Sequence, residues 1–364
     1  MTITRRYFLK KKVSSDGKAV LITGCDSGFG HKIAKRMESL GYCVFAACLN
    51  PQGEGAKELT DQCSSRLQVL PLDVTSDQSV QSAKEYVLEH LGNNVLWAVL
   101  NNAGIALAGE IEWTPLEEFE KVYQVNAAGT LKVTKAFLPL LRKSKGRLIN
   151  NTSTCGEFIC PGFVAYCVSK SAAIALSVGL RIEMMKWGVR VISIQPFFYK
   201  TPITDQNTAI EMAERTWLKS DPHTREDYGE RYKDNFLEST RKLLKRSSPR
   251  VEDVLYCFED ALTAEEPLST YMPAYFPDKL GIKMLKYLPS VVGEYYLRYQ
   301  LERGHKPAAL RKAKKVSVMW IAVHYCPTAT RKTLSRVAAS RRVEERRETG
   351  IKSTTTFGKL TALR

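Results

Sequence analysis

Ser153 precedes Tyr166 by thirteen residues, and Lys170 follows four residues later. A four-residue step on a helix stacks two side chains on one face, so a helix starting near Ala165 would point phenol and ammonium the same way. A serine at the end of the preceding strand would then meet them. Hydroxyl, phenol and cation at one point form an acid/base site for moving a proton to or from an alcohol or ketone oxygen. The spacing also arises by chance on surface helices, so its meaning depends on the elements around it.

The first such element is KAVLITG, Lys18 to Gly24, an apolar run ended by glycine as a buried strand would be. TGCDSGFG follows, from Thr23 through Gly24, Asp26, Ser27, Gly28 and Phe29 to Gly30. After it Ile33, Ala34, Met37 and Leu40 recur at helical spacing. Strand, glycine turn and helix are what a dinucleotide-binding loop requires: glycine admits a pyrophosphate close to the backbone, and the helix N-terminus supplies N–H groups and positive potential. The next strand, YCVFAAC, ends at Cys48 and Leu49, where neither a carboxylate for ribose hydroxyls nor an arginine for a 2'-phosphate stands. With no cation in the glycine turn and Asp26 there to repel a phosphate, NAD is expected over NADP.

QVLPLD, Gln68 to Asp73, reads as a third strand followed by Val74. Asp73 is placed either to meet an adenine amino group or to cap the helix beginning near Ser76. VLWAVL, from Val95, is a fourth strand running into NNAG, which places Asn102, Ala103 and Gly104 at the sheet edge where open parallel sheets bind ligands. A helix is expected from about Pro115 to Arg142, carrying Asn126 among apolar neighbours. That amide would either tie the helix to a strand or hold a water beside Lys170. RLINNT, from Arg147, is strand five, and VRVISIQ, from Val189, is strand six, leading into Pro196, Phe197, Phe198, Tyr199 and Thr201. Strands alternating with helices predict an α/β fold: a doubly wound parallel sheet of about seven strands, the Rossmann arrangement.

Residues 202–248 are rich in charge and aromatics, and helices are expected around Ala209 to Lys219 and Arg225 to Lys245, placed to form a substrate lid. A last strand is expected over Thr270 to Phe276. An amphipathic run, Lys279 to Leu297, suits a dimer surface, a membrane-resting helix or ordinary packing. The chain thus divides into a basic arm over 1–17, a catalytic dinucleotide-binding domain over 18–302, and a basic extension over 303–364.

The 364 residues carry a net charge of +16, but from Arg303 onward sixteen Lys or Arg face three Glu, so +13 of it belongs to the extension. A near-neutral body argues against nucleic acid as partner, and the extension is a candidate for anionic lipid. Val316 to Tyr325 is too short to span a bilayer. Nine cysteines without a Cys-x-x-Cys pair, and five scattered histidines, read as reduced intracellular thiols and no metal site.

With TGCDSGFG, LDVT, NNAG, VNAAGT, Ser153 and YCVSK in this order, the chain resembles the short-chain dehydrogenase/reductase superfamily from about Lys18 to Leu297. TGCDSGFG with VFAACLN resembles the branch of retinol dehydrogenases, 17β-hydroxysteroid dehydrogenases and D-3-hydroxybutyrate dehydrogenase, and REDYGERY from Arg225 is similar to the last. The resemblance implies hydride transfer with a nicotinamide cofactor, and the protein is expected to be a homo-oligomer inside the cell, either associated with the endoplasmic reticulum membrane or mitochondrial. It implies that Tyr166 exchanges the proton, Ser153 holds the substrate oxygen, Lys170 grips the ribose and Asn126 supports a relay water. Bringing the phenol from about 10 to neutrality by the ammonium and the nicotinamide charge corresponds to roughly 4 kcal/mol. Two departures stand out: Phe197 in place of the usual glycine after Pro196, and Asn151 in place of an apolar residue.

Ala106, Cys155, Phe158, Ile159, Phe163, Phe197, Phe198 and Tyr199 are the expected pocket, all apolar or aromatic. An unpaired carboxylate there would be costly, which favours a lipophilic secondary alcohol or ketone, steroid- or retinoid-like. The alternatives are 3-hydroxybutyrate, held by Lys200 or a lid arginine such as Arg225, and a catalytically idle nucleotide-binding scaffold.

Overall fold

The computed structural model describes residues 11–287, 294–295 and 307–311. The chain divides into two compact units, Met1–Arg311 and Lys312–Arg364, and the described residues all belong to the first. The basic extension, apart from 307–311, therefore lies outside the described residues, as do the first ten residues and most of the amphipathic run beyond Tyr287.

The chain order is β1 (Lys18–Thr23), α1 (Gly28–Ser39), β2 (Cys43–Cys48), α2 (Glu54–Gln62), β3 (Leu67–Pro71), α3 (Asp77–His90) and β4 (Val95–Asn101). Then come α4 (Leu116–Tyr123), a π-helical turn (Gln124–Gly129), α5 (Thr130–Ser144), β5 (Arg147–Asn151), α6 (Val164–Met184) and β6 (Arg190–Ile194). They are followed by α7 (Gln206–Lys219), α8 (Pro222–Tyr228), α9 (Glu230–Lys245), α10 (Glu252–Thr263), β7 (Thr270–Tyr271) and α11 (Phe276–Tyr287). The seven strands form one parallel sheet in the order β3-β2-β1-β4-β5-β6-β7. The order reverses between β1 and β4, which opens a crevice at their C-terminal ends.

Strand alternation feeds two cores. Val20 and Ile22 of β1 pack with Ile33, Ala34 and Met37 of α1 and with Val254 and Phe258 of α10. Ala19 and Leu21 pack on the other face with Val80 and Val87 of α3 and Val133 and Phe137 of α5. A smaller cluster joins Cys155, Cys160, Phe163 and Cys167 to Ile210 and Ala213 of α7 and Leu237 and Leu244 of α9.

Several boundaries differ from the sequence expectation. The helix expected from Pro115 to Arg142 is two helices joined by the π turn that carries Asn126. The helix expected from Arg225 to Lys245 is broken at Gly229, whose φ of 76° is open to glycine at little cost. The last strand covers only Thr270–Tyr271, and Phe276, expected at its end, begins α11. Residues 11–17 are not a free arm: Val13 N–H donates to Thr263 O at 2.7 Å and Lys12 pairs with Glu259 at 2.7 Å.

Candidate functional site

A cleft of about 910 Å³ runs along the C-terminal ends of the strands. Of the residues expected to bind ligand, Gly24, Asp26, Ser27, Gly28, Phe29, Leu49, Asp73, Val74, Asn102, Ala103, Gly104, Ser153, Cys155, Phe163, Tyr166, Lys170, Pro196, Phe197, Phe198 and Thr201 line it, together with Ala106 and Tyr199. Thr23, Gly30, Cys48, Asn126, Phe158 and Ile159 do not.

Each exception has a structural reason. Thr23 Oγ1 accepts from the N–H groups of Asn102 and Ala103, both at 3.0 Å, fixing the end of β4 beside that of β1. A Cβ on Gly30 would lie 2.3 Å from Gly24 O, so this glycine lets α1 pack against the turn without itself facing ligand. Cys48 is fully buried, and burial followed by nearby Asp26 pushes its thiol up to about 12. Asn126 Oδ1 accepts from Ile105 N–H at 2.9 Å, and its Nδ2 donates to Ile105 O at 2.8 Å and Ser169 Oγ at 2.9 Å. The side chain therefore ties the π turn to the loop after β4 and to α6. Ile159 is 45 % exposed on the outside, and Phe158 packs against Phe197 at 6.5 Å between centroids.

At the β1–α1 turn, Gly24 and Gly28 have φ of 70° and 64°, which most side chains resist. Ser27 precedes α1 without a side-chain cap, and no acid lies in the first turn. The helix N–H groups are thus free of competition from the protein's own carboxylates, and the turn fits a pyrophosphate. Asp26 corrects the expectation for the end of β2. Its carboxylate accepts from Leu49 N–H at 3.0 Å and Asn50 N–H at 2.8 Å, so an acid from the glycine turn occupies the strand end that the sequence leaves without one. Asp73 does not cap α3, since Ser76 does. Its Oδ1 accepts from Thr75 N–H and hydroxyl, at 2.8 and 2.7 Å.

Ser153 ends the β5 segment in extended conformation, and its Oγ accepts from Cys155 N–H at 3.1 Å. Pro196 O, after β6, receives Thr154 N–H at 3.1 Å and Thr154 Oγ1 at 3.2 Å, tying the serine turn to the neighbouring strand. Phe197 is accommodated despite replacing glycine. Its N–H donates to Pro273 O at 3.1 Å, and its ring meets Phe198 edge-on at 5.0 Å.

On α6 Tyr166 faces the same cleft as Ser153, and Lys170 Nζ lies 5.6 Å from the Tyr166 ring centroid. Lys170 Nζ donates to the Asn151 main-chain O at 2.9 Å. Burial pushes the phenol well above its ordinary value, with Cys155 adding to the rise and Ser153 opposing it. Burial also pushes the ammonium down to about 8, slightly offset by Cys155. Among the protein's own groups desolvation penalises both charged forms more than their proximity helps, so the ammonium without the nicotinamide charge does not bring the phenol to neutrality. At neutral pH the pair holds a protonated phenol beside an ammonium.

The far end of the cleft is walled by Leu107, Ala108, Cys155, Phe163, Phe198, Ala209, Met212 and Leu244. Cys155 keeps its proton, through its hydrogen bond to Cys167 and then burial, and so presents apolar surface. Met212 and Leu244 come from α7 and α9, where helical spacing alone does not say which face meets a ligand. Lys200 and Arg225 do not line the cleft, and Arg225 donates to Leu218 O instead.

The sequence profile of the short chain dehydrogenase family matches residues 18–211. The chain belongs to this family. It is 38 % identical over 301 residues to mouse estradiol 17-beta-dehydrogenase 2, covering 81 % of this chain and 78 % of the relative. With mouse retinol dehydrogenase 16 the identity is 39 % over 288 residues, covering 78 % and 90 %. With rat 17-beta-hydroxysteroid dehydrogenase type 6 it is 39 % over 289 residues, covering 78 % and 90 %. Among solved structures, a Burkholderia phymatum short chain dehydrogenase/reductase in complex with NAD superposes with a TM-score of 0.64 at 19 % identity, covering 84 % of this chain and all of that one. A Burkholderia cenocepacia short chain dehydrogenase in complex with NADP gives 0.57 at 19 %, covering 78 % and 98 %. At such identities the likeness is one of fold. The chain is a short-chain oxidoreductase acting on hydroxyl groups.

Proposed function

We propose that this enzyme interconverts a lipophilic alcohol and its carbonyl form, a steroid's secondary alcohol and ketone or a retinoid's alcohol and aldehyde, using NAD(H), with Tyr166 exchanging the proton. The observation that carries the reading is the meeting of Ser153, Tyr166 and Lys170 between a glycine-turn cradle and an uncharged pocket. Among the described residues lining the cleft the cations are Lys121 and Lys170. Neither belongs to the apolar wall, so a carboxylate substrate would find no dedicated partner there. The names of the relatives, steroid and retinol dehydrogenases, support the same substrate class.

The fit to a dinucleotide assigns Gly24, Ser27, Gly28 and Phe29 to the pyrophosphate, Asp26 to the adenosine ribose, and Asn102 to Gly104 with Thr201 to the nicotinamide half. When bound, the cofactor supplies the hydride. The chain's own residues do the rest. Ser153 donates to the substrate oxygen, and Tyr166, protonated at neutral pH, gives its proton to that oxygen as a ketone is reduced. Lys170 stabilises the phenolate that results. In the opposite direction the phenolate removes the alcohol proton. Asp26 favours NAD because a 2'-phosphate beside its carboxylate would place like charges together. Helices α7 to α9, which cover the apolar end, act as the substrate lid. Eight described cysteines are free, in keeping with an intracellular site.

The test is a panel of steroid, retinoid and short hydroxy-acid alcohols run with NAD and with NADP. Turnover of a steroid or retinoid alcohol with NAD is expected. Activity confined to 3-hydroxybutyrate would overturn the substrate class, and higher turnover with NADP would overturn the cofactor assignment.

A further inference from the structure

β5, RLINN, ends in two amides, and the side chain of the last, Asn151, sits in a directed chain of hydrogen bonds. Thr23 O and Gly24 O are carbonyls and can only accept, so Asn102 must turn its NH₂ toward them, at 2.9 and 3.1 Å. That leaves Asn102 Oδ1 facing β5, and it accepts from Asn151 Nδ2 at 3.0 Å. Asn151 Oδ1 is then buried without a partner among the described residues. An apolar side chain would avoid this orphaned acceptor, so the amide is retained at a cost to stability. The same residue's main-chain O holds Lys170 Nζ at 2.9 Å.

We infer that Asn151 is a positioning residue, joining the glycine turn, through Asn102, to the carbonyl that holds Lys170. This role rests on the proposed function of Lys170 and of the glycine turn. It links the C-terminal ends of β1, β4 and β5, so the group that binds pyrophosphate and the group that stabilises the phenolate keep a common register. The titratable groups facing Lys170 are Tyr166, on its own helix, and Cys155, from the turn after β5. Gly104, which approaches it from the loop after β4, carries no charge. The ammonium is therefore held mainly by the Asn151 carbonyl. If that carbonyl loses its side-chain anchor, the charged form is less favoured and the proton leaves at lower pH.

The experiment compares Asn151→Val and Asn151→Ser with Thr134→Val. Thr134 accepts from Asn101 Nδ2 at 3.0 Å in the adjoining buried network but has no bond to Asn102 or Lys170. Each protein is measured for melting temperature, NADH affinity by fluorescence titration, and the alkaline limb of kcat. Both Asn151 variants should bind NADH about fivefold more weakly, as one neutral hydrogen bond implies. Their alkaline limb should move down by roughly half to one pH unit. Thr134→Val should lower melting alone. Asn151 variants that melt lower yet keep wild-type NADH affinity and limb would reduce Asn151 to a structural residue and overturn the inference. The serine variant, which stays polar, answers the question if the valine variant does not fold. Wild-type protein that binds no NADH would instead sink the proposed function, and this role with it.

Discussion

At the glycine-turn end of the cleft the groups facing ligand are mostly main-chain N–H, framed by Gly24 and Gly28 and by one acid, Asp26. At the other end they are side chains: Phe163 and Cys155 from the β5–α6 segment, Phe198 after β6, Met212 from α7 and Leu244 from α9. The first end comes from one contiguous motif and the tips of neighbouring strands, and the second from four separated segments. The difference predicts how each responds to change. Backbone recognition tolerates most side-chain chemistry but not an added Cβ at a close approach, whereas the side-chain wall tolerates shape but not charge.

The largest effect is expected where the backbone end is blocked. In Gly30→Val the new Cβ would meet Gly24 O at 2.3 Å and Asn102 Nδ2 at 2.4 Å, and the former is backbone that cannot move aside cheaply. A loss of about 3 kcal/mol in denaturant unfolding is expected, together with loss of NADH binding. A stable variant that still binds NADH would mean that the turn is not the cradle.

Smaller effects separate the two ends. Asp26→Asn removes one negative charge at the end of β2 while leaving an acceptor for Leu49 or Asn50 N–H. The ratio of kcat/KM for NADP over NAD should rise about tenfold, with substrate KM unchanged. Met212→Lys is its counterpart, putting a cation into the apolar wall. It should raise KM for a steroid or retinoid alcohol about tenfold while NADH titrates as in wild type. If each variant disturbed both ligands equally, the division of the cleft would fail.

The mildest test is pH. Because burial lowers Lys170 to about 8 and raises Tyr166, the reductive reaction keeps both groups protonated at neutral pH. Its rate should hold to about pH 7 and decline as pH rises past about 8, earlier than an exposed lysine would allow. A reductive rate flat to pH 10 would place the ammonium in a more hydrated setting than the structure shows.

The same contrast explains what was legible in the sequence. The parallel sheet could be read because buried strands such as KAVLIT are uninterrupted apolar runs and α1 repeats Ile33, Ala34 and Met37 on one face. The placement of Ser153, Tyr166 and Lys170 could be read because strand end and helical spacing are local properties. Asp26 at the end of β2 was not legible, because the acid lies more than twenty residues before the strand end it serves. The break at Gly229 and the π turn were missed because helical periodicity continues across both. Met212 and Leu244 became pocket residues only once α7 and α9 packed over the cleft. The upward push on the Tyr166 phenol was not legible for a similar reason: spacing shows that a cation is near, but not how deeply both groups are buried.

The central claim is that Tyr166 transfers the proton at a site whose dinucleotide end works independently of it. Tyr166→Phe removes one oxygen, leaving Lys170 with its Asn151 carbonyl and the glycine turn untouched. The most direct measurement pairs kcat on the best steroid or retinoid alcohol with NADH titration of the same variant. The account predicts turnover at least a thousandfold lower with the NADH dissociation constant within about twofold of wild type. Turnover that survives the substitution would contradict it.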